Sequence, residues 1–299
     1  MHIAKKRLLL QLFMLAVVFV FPLVSQAESK YYQVTSSDGV PIAVQESGVL
    51  DGPAIVFIHG YLGSHLNWLP QVESPLAEKY RLITYDLRGH GLSGKPTGAE
   101  AYGEGERWAN DLAQVIAASN AQKPILVGWS LGGAVISNYL SLYGDEDIAG
   151  AVYVDGVVEL KPDQITAHPD IYRDLVSPHL ETHLKTVRDF LRLCFHQQPE
   201  DETFQLLLAN AALVSWDMQE NVQSMSVSLA GLGKAKKPIL MLYGEKDALV
   251  KVSETINRAK AINPRVDTLL YENSGHAPFI EETERFNRDL AAFVEQALP

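Results

Sequence analysis

The chain has 299 residues, of which 47% are hydrophobic and 20% are charged. This balance is typical of a folded globular protein and excludes a disordered chain. The formal net charge of −11 argues against binding nucleic acid, and against binding anionic membranes through a basic patch. The length suits one large domain with an insertion, or two small domains.

The first 27 residues have the pattern of a secretory signal peptide. Three basic residues at positions 5–7 precede an apolar run over 8–21, and small residues stand at Ser25 and Ala27. We expect cleavage after Ala27, which changes the net charge to −14 and delivers the chain to the periplasm or the medium. We prefer this to an uncleaved membrane anchor, because the apolar run is short for a bilayer span and a cleavage site follows it. No stable membrane anchor is expected after cleavage.

Strand and helix patterns alternate along the remaining chain. Two strands flank a turn at Asp38-Gly39. Continuous apolar runs, typical of strands buried in a parallel sheet, occupy 54–60, 81–87, 124–130, 148–156, 238–244 and 266–273. Helical patterns lie at 67–79, 105–119, 131–143, 252–262 and 281–297. The alternation predicts an α/β fold with a mostly parallel, doubly wound sheet.

The region 157–236 breaks this alternation. Four prolines punctuate it, and apolar residues recur at helical spacing between them. We expect a helical cap over 157–236, inserted into a core made of 28–156 and 237–299. Inward-facing residues of such a cap are expected to line a substrate pocket. The single cysteine, Cys194, allows no internal disulfide and is interpreted as a buried small hydrophobe.

A G-x-S-x-G motif stands at 128–132, where a predicted strand ends and a helix begins. In this context Ser130 occupies a sharp turn that pushes a nucleophilic hydroxyl above the sheet. The flanking glycines are needed because side chains there would collide with the neighbouring strand and helix. The N–H groups at the start of the helix point towards developing negative charge. We therefore predict that Ser130 is a nucleophile.

A serine hydroxyl needs a base to remove its proton, and the base needs an acid to orient it. In this fold the expected chain order is serine, acid, histidine. His276 follows the last strand and Asp247 follows the strand before it, so both fall at the sheet edge that carries Ser130. We predict His276 as the general base and then acid, and Asp247 as the residue that fixes its tautomer. Asp155, which ends another strand at this edge, is the alternative acid.

An oxyanion site is predicted from two backbone N–H groups, those of Tyr61 and Leu131. Tyr61 follows the His59-Gly60 pair at the end of a strand, and Leu131 follows the nucleophile. Such donors stabilise the charge that develops on the substrate oxygen. The Tyr61 side chain is expected to shape the acyl pocket, and His59 is interpreted as a structural residue that holds the loop by hydrogen bonds.

The sequence resembles α/β-hydrolases over nearly all of the chain after residue 27. The resemblance rests on HG at 59–60, DLRGHGLSGKP at 86–96, GWSLGG at 128–133, GEKD at 244–247 and SGHAPF at 274–279. These motifs are similar to those of the single-domain carboxylesterase, lactonase and cofactor-free perhydrolase branch. The resemblance implies no cofactor, and it implies a structural turn rather than chemistry for Arg88 and His90.

Two features of the resemblance disfavour other activities of the family. The HG-x pattern differs from the GGG-x pattern of many lipases. Ser130 stands where dehalogenases and epoxide hydrolases carry aspartate.

His179 and His183 have the spacing of zinc ligands. A glutamate after the first histidine and a third ligand are missing, so no metal site is predicted and both histidines are placed on a solvated face.

The predicted function is that of an exported serine hydrolase, specifically a carboxylesterase, which is an enzyme that hydrolyses carboxylic ester bonds. It cleaves carboxylic esters of small to medium size through an acyl-enzyme. The same triad acting on a lactone, a C–C bond or an amide, or catalysing perhydrolysis, stays open, because fold and triad do not fix the substrate. A non-catalytic, hydrolase-like ligand-binding protein is the alternative from another class.

Overall fold

The computed structural model describes residues 29–298, so the predicted signal peptide and its cleavage site lie outside the described residues. The strands are β1 (Lys30–Thr35), β2 (Pro41–Gly48), β3 (Ala54–Ile58), β4 (Arg81–Tyr85), β5 (Ile125–Trp129), β6 (Gly150–Val154), β7 (Ile239–Gly244) and β8 (Asp267–Tyr271). They form one sheet in the order β1-β2-β4-β3-β5-β6-β7-β8. β2 pairs antiparallel with β1 and β4, and the other pairs are parallel. The predicted α/β fold with a mostly parallel sheet is confirmed.

The middle of the sheet is the centre of the core. Every residue of β3, β5, β6 and β7 is buried, as expected for apolar strands covered by helices on both faces. The edge strands β1 and β8 are less covered, and only one residue of each is buried. The carboxyl ends of the central strands therefore meet inside the protein at one edge, where open α/β sheets hold ligands.

Helices connect the strands. They are α1 (Leu69–Val72), α2 (Glu100–Gly103), α3 (Gly105–Ser119), α4 (Leu131–Tyr143), α5 (Pro169–Asp174), α6 (Leu180–Leu193), α7 (Asp201–Ala212), α8 (Trp216–Asn221), α9 (Ala230–Lys234), α10 (Val252–Ile262), α11 (Pro278–Glu281) and α12 (Thr283–Ala297). Short 3-10 helices lie at His65–Trp68, Pro75–Glu78 and Val222–Ser224. Within residues 29–298, no helix combines the length and hydrophobicity needed to cross a lipid bilayer.

The single helix predicted over 67–79 is wrong. The chain forms three short pieces there: a 3-10 helix, α1 and a second 3-10 helix. Pro75 lacks a backbone N–H and disfavours the helical conformation of the residue before it. That residue, Ser74, is extended with φ of −99° and ψ of 172°, and its hydroxyl accepts a hydrogen bond from the Leu76 N–H as a new cap. The apolar periodicity of this segment thus serves packing rather than one continuous helix.

Between β6 and β7 the chain forms α5 to α9 and the 3-10 helix at Val222–Ser224. The start of this region is tied to the core by a bridge between Ile165 and Val250, the latter in the loop after β7. Two backbone hydrogen bonds extend the bridge, from Thr166 to Leu249 and from Lys251 to Gln164. The division into a core and a cap at 157–236 stays a prediction about domain boundaries.

Candidate active site

Ser130 lies in a strained turn between β5 and α4. Its φ of 52° and ψ of −114° are outside the regions that residues with a side chain normally adopt. The turn is closely packed: a Cβ at Gly132 would lie 2.6 Å from the backbone oxygen of Ile58 on β3. The Ser130 N–H donates to Val154 O on β6 (3.1 Å), which fixes the turn against the sheet. These contacts explain the glycine-flanked motif and hold the Ser130 side chain above the strand ends.

Tyr61 and Leu131 both lie near Ser130. All three residues line one cavity, and Leu131 is the first residue of α4. The loop after β3 comes close to the nucleophile, because a Cβ at Gly60 would lie 3.0 Å from the Ser130 Cβ. This arrangement brings together the two residues whose N–H groups are predicted to hold an oxyanion. The N-terminus of α4 adds a partial positive charge at the same position.

His276 and Asp247 form a buried hydrogen-bonded pair. His276 Nδ1 lies 2.7 Å from Asp247 Oδ2, and the two side chains are 1% and 0% exposed. Since the carboxylate accepts, Nδ1 carries the proton and Nε2 is left as the basic atom of the ring. Asp247 Oδ1 accepts from the backbone N–H groups of Leu249 (2.7 Å) and Val250 (3.0 Å), which stabilises the ionised carboxylate.

Three further hydrogen bonds hold the His276 loop. The Trp129 indole N–H donates to His276 O (2.7 Å), and the His276 N–H donates to Cys194 O (2.9 Å). The Lys246 N–H donates to Ser274 O (3.0 Å), which joins the loop of the acid to the loop of the histidine. Sequence reasoning missed the contributions of Trp129 and Cys194, because these contacts join positions far apart in the chain.

Glu281 also fixes the loop that carries His276, by accepting hydrogen bonds from backbone N–H groups. Its two carboxylate oxygens accept hydrogen bonds from the Gly275 and Gln197 N–H groups, each at 2.8 Å. Burial raises the pKa of Glu281. The backbone donors act in the opposite direction, because they stabilise the ionised carboxylate, but the effect of burial is larger. Glu281 was not predicted as a site residue, although it follows His276 by five residues at a predicted helix.

Asp155 lies beside the Asp247–His276 pair without bonding to the histidine. Carboxyl or ring atoms of these three residues all lie within 4.8 Å of one another. The hydrogen bond to His276 comes from Asp247, while Asp155 Oδ1 accepts from the Gly244 N–H (2.9 Å). Two carboxylates and a histidine so close together could ligate a metal ion. The hydrogen bond between Asp247 and His276, however, already occupies one atom of each of these two residues.

His59 is a buried structural residue, as interpreted from the sequence. Its Nε2 accepts from the Leu87 N–H (2.9 Å), and its Nδ1–H donates to Gly60 O (2.8 Å). Burial lowers the pKa of His59 to about 4, despite the opposing effect of the Asp86 carboxylate. The ring is therefore neutral at neutral pH and fixes the loop that carries Tyr61.

The two histidines of the zinc-like spacing do not share a solvated face. His179 is exposed and precedes α6. His183 is buried, its Nδ1 bonds to Leu175 O (2.6 Å), and its ring stacks on Trp216 with 4.2 Å between centroids. The expectation of a solvated face is wrong for His183, because the preceding turn and α8 cover it.

The cavity at Ser130 has a volume of about 380 Å³. Aromatic rings form part of its wall, with Tyr61 packed edge-on to Phe190 at a centroid distance of 5.6 Å and Tyr172 beyond it. The remaining lining is mostly aliphatic, and it includes Leu160, Pro162, Ile165, Leu249 and Val250. Lys161 and Gln223 are its larger polar members. The cavity therefore suits an apolar group attached to the atom that Ser130 attacks.

Comparison with known proteins gives one consistent result. Residues 53–283 match the sequence profile of the alpha/beta hydrolase fold family. A protein from Burkholderia cenocepacia that has been proposed to be an aryl esterase has 64% identity and a TM-score of 0.89, covering 90% of this chain and 99% of that one. The esterase RhEst1 from a Rhodococcus species has 28% identity and a TM-score of 0.83, covering 90% and 99%. The bifunctional esterase/perhydrolase DCH of Acinetobacter calcoaceticus is 26% identical over 278 residues, which are 87% of this chain and 98% of that one.

Proposed function

This chain belongs to the α/β-hydrolase fold family, and we propose that it is an exported serine carboxylesterase with Ser130, His276 and Asp247 as its catalytic triad. Its esterase relatives support an esterase activity on a small-molecule substrate. The observation that carries the finer proposal is the 2.7 Å hydrogen bond between His276 and Asp247. It is buried at the same sheet edge at which Ser130 lines an apolar cavity.

The acylation step follows from the protonation states. His276 Nε2 removes the hydroxyl proton of Ser130 as the serine oxygen attacks the ester carbonyl carbon. Asp247 keeps the ring oriented and stabilises the imidazolium that forms. The imidazolium then gives its proton to the leaving alcohol as the C–O bond of the ester breaks. The product of this half-reaction is an acyl group esterified to Ser130.

The Tyr61 and Leu131 N–H groups hold the substrate oxygen during the attack. The negative charge that develops on this oxygen lies at the start of α4, where the helix dipole also favours an anion. Loss of one donor of this type typically raises the barrier by about 2.7–4 kcal/mol. The strained turn at Ser130 and the loop fixed by His59 keep both donors in place before the substrate arrives.

Deacylation repeats the same proton movements with water. His276 Nε2 removes a proton from a water molecule, whose oxygen attacks the acyl carbonyl. The tetrahedral intermediate collapses, the acid leaves, and the proton returns to the Ser130 oxygen. These steps use residues of this chain alone and require no cofactor.

The cavity supports a substrate of small to medium size. Its volume of about 380 Å³ is near the lower end of the range of about 300–1,000 Å³ that is common for ligand sites. The wall of Tyr61, Tyr172 and Phe190 suits apolar groups, aromatic ones included, because aromatic side chains offer a large apolar contact area and favour edge-to-face packing with other rings.

The experiment that tests this proposal is hydrolysis of a p-nitrophenyl ester series from acetate to palmitate. Wild type, Ser130→Ala and Ser253→Ala are compared, the last being an exposed serine of α10. We expect activity on short and medium acyl chains in wild type and Ser253→Ala, and its loss in Ser130→Ala. Turnover of lactones, amides or diketones with no ester activity in wild type would reject the esterase proposal while keeping the triad.

A further inference from the structure

The carboxyl group of Asp155 lies against the Asp247–His276 pair in a site that is closed to solvent. Asp155 is 0% exposed, and its φ of 42° is a strained value for a residue with a side chain. Two hydrogen bonds hold the backbone here: the Asp155 N–H donates to Leu242 O (2.9 Å), and the Tyr243 hydroxyl donates to Gly156 O. The fold therefore directs this side chain towards the pair.

The two carboxyl groups have unequal hydrogen-bond partners. Asp247 accepts three hydrogen bonds, from the Leu249 and Val250 N–H groups and from His276. Asp155 accepts one, from the Gly244 N–H, and its Oδ2 is buried with no hydrogen-bond donor among residues 29–298. Donors favour the ionised form of a carboxyl group, so a single negative charge shared by the two belongs on Asp247.

Two ionised carboxylates are disfavoured here by their neighbours. The charged groups that act on Asp155 are the carboxylates of Asp247 and Glu281. The His276 ring and the Tyr243 phenol are the other titratable groups near it. Burial, followed by the charge of Asp247, raises the pKa of Asp155 well above its ordinary value. Buried carboxyl groups a few ångströms apart typically retain one proton between them.

We propose that Asp155 is a protonated positioning residue, whose Oδ2–H donates a hydrogen bond to Asp247 and holds it against His276. This inference deepens the proposed function and rests on it for its kinetic test. The bare Oδ2 of Asp155 then has a partner, and Asp247 has a fourth donor. In the resting enzyme, Asp155 and Asp247 together then carry one negative charge. This charge stabilises the His276 imidazolium that forms during acylation.

Two substitutions separate this role from the alternatives. Asp155→Asn keeps a donor of the same shape, so kcat/KM should stay within about threefold of wild type, with the acid limb of its pH profile unmoved. Asp155→Ala removes the donor, so kcat/KM should fall by tenfold to a hundredfold, the factor for about 1.5–3 kcal/mol lost with a hydrogen bond to a charged group. Its acid limb should move to higher pH, because Asp247 then attracts a proton on His276 more strongly.

Two kinetic results would overturn the inference. If Asp155 is ionised, Asp155→Asn removes a negative charge near His276 and moves the acid limb to lower pH. If Asp155→Ala retains the wild-type profile and rate, the group does not position Asp247. Fluorophosphonate labelling and thermal unfolding of each variant report whether it is folded.

A measurement on the wild-type chain needs neither turnover nor a variant that folds. Carbon-13 chemical shifts of the aspartate carboxyl groups, assigned through bonds and followed from pH 5 to pH 8, report each protonation state. We expect Asp155 to keep the shift of a carboxylic acid throughout, and Asp247 that of a carboxylate. An ionised Asp155 at pH 7 would reject the inference, while a protonated Asp155 in a chain that hydrolyses no ester would reject only the proposed function.

Discussion

The indole N–H of Trp129 donates a 2.7 Å hydrogen bond to the backbone oxygen of His276. The residue before the proposed nucleophile thus holds the proposed base, although 147 positions separate the two in the chain. Their rings lie 5.6 Å apart, and Phe279 packs on Trp129 at 5.1 Å. The distance between nucleophile and base is therefore set by one rigid side chain of β5 as well as by the sheet.

Trp129→Phe should lower both stability and activity. Phenylalanine keeps much of the packing on Phe279 but removes the donor to His276 O. We expect about 1 kcal/mol less free energy of unfolding and a kcat/KM lower by about tenfold. The matched control is Trp108→Phe, which removes an indole donor to Tyr102 O in the core. Equal kcat/KM values in the two variants would contradict a positioning role for Trp129.

Asp247→Asn should reduce turnover far more than it reduces stability. The amide cannot accept the His276 Nδ1–H with the same strength, and it favours the wrong tautomer or orientation of the ring. We expect kcat to fall by up to about 10⁴-fold, a loss typical of this change in a serine triad. Asp51→Asn, at an exposed turn, serves as the control. A kcat within tenfold of wild type would remove Asp247 from its proposed role.

Stability should decrease as the pH falls from about 6.5 to about 4. Burial lowers the pKa of His59 to about 4 and that of His90 to about 3, whereas an unfolded histidine titrates near 6.5. Below pH 6.5 the unfolded chain therefore binds protons that the folded chain does not. The stability present above pH 6.5 is lost as the pH falls, and His59 alone accounts for about 3 kcal/mol by pH 4.

Urea unfolding at several pH values checks this dependence. In His90→Phe the pH dependence should be shallower than in wild type, since one buried titrating ring is removed. His90 Nε2 is buried without a hydrogen-bond partner in the part of the chain that is described, so phenylalanine also removes an unpaired polar atom. The exposed His179 provides the control as His179→Phe. An unchanged slope in His90→Phe would mean that this ring is not neutral in the folded chain.

Export predicts a defined N-terminus. Expression with the natural first 27 residues should yield a chain that begins at Glu28, recovered from the periplasm or the medium. Intact mass and N-terminal sequencing measure this, and Ala27→Pro should leave the full-length chain in the membrane fraction. A wild-type chain that keeps its first residues and stays in the cytoplasm would contradict the proposed export.

Local chemistry explains why much of the fold was predictable. The bounds of α3, α4 and α10 are those expected from periodicity, because each helix has a continuous apolar face and ends at a residue that breaks the helical pattern. Ser130, Asp247 and His276 were singled out because each follows a strand pattern, and parallel strands bring their carboxyl ends to one edge. The break-up of the segment 67–79 into short helices was not predicted, because the helical spacing of its apolar residues was given more weight than its two prolines, which interrupt helices.

The missing parts of the site are contacts between distant elements. The bond from Trp129 to His276, the bracing of Gly275 and Gln197 by Glu281, and the approach of Asp155 to Asp247 depend on how loops from different strands pack. No periodicity or local motif encodes such pairings. The volume of the cavity, which residues of α5 and α6 help to line, is likewise set by tertiary packing and could be measured only in the structure.

The central claim, that Ser130 is a nucleophile activated by His276, is tested most directly by covalent labelling. Mature wild-type protein, Ser130→Ala and His276→Gln are treated with a fluorophosphonate and measured by intact mass and peptide mapping. We expect one adduct per wild-type chain, on the peptide that contains Ser130. We expect none in Ser130→Ala, and strongly slowed labelling in His276→Gln. An adduct that persists in Ser130→Ala, or a folded wild-type chain that takes no label, would contradict the account.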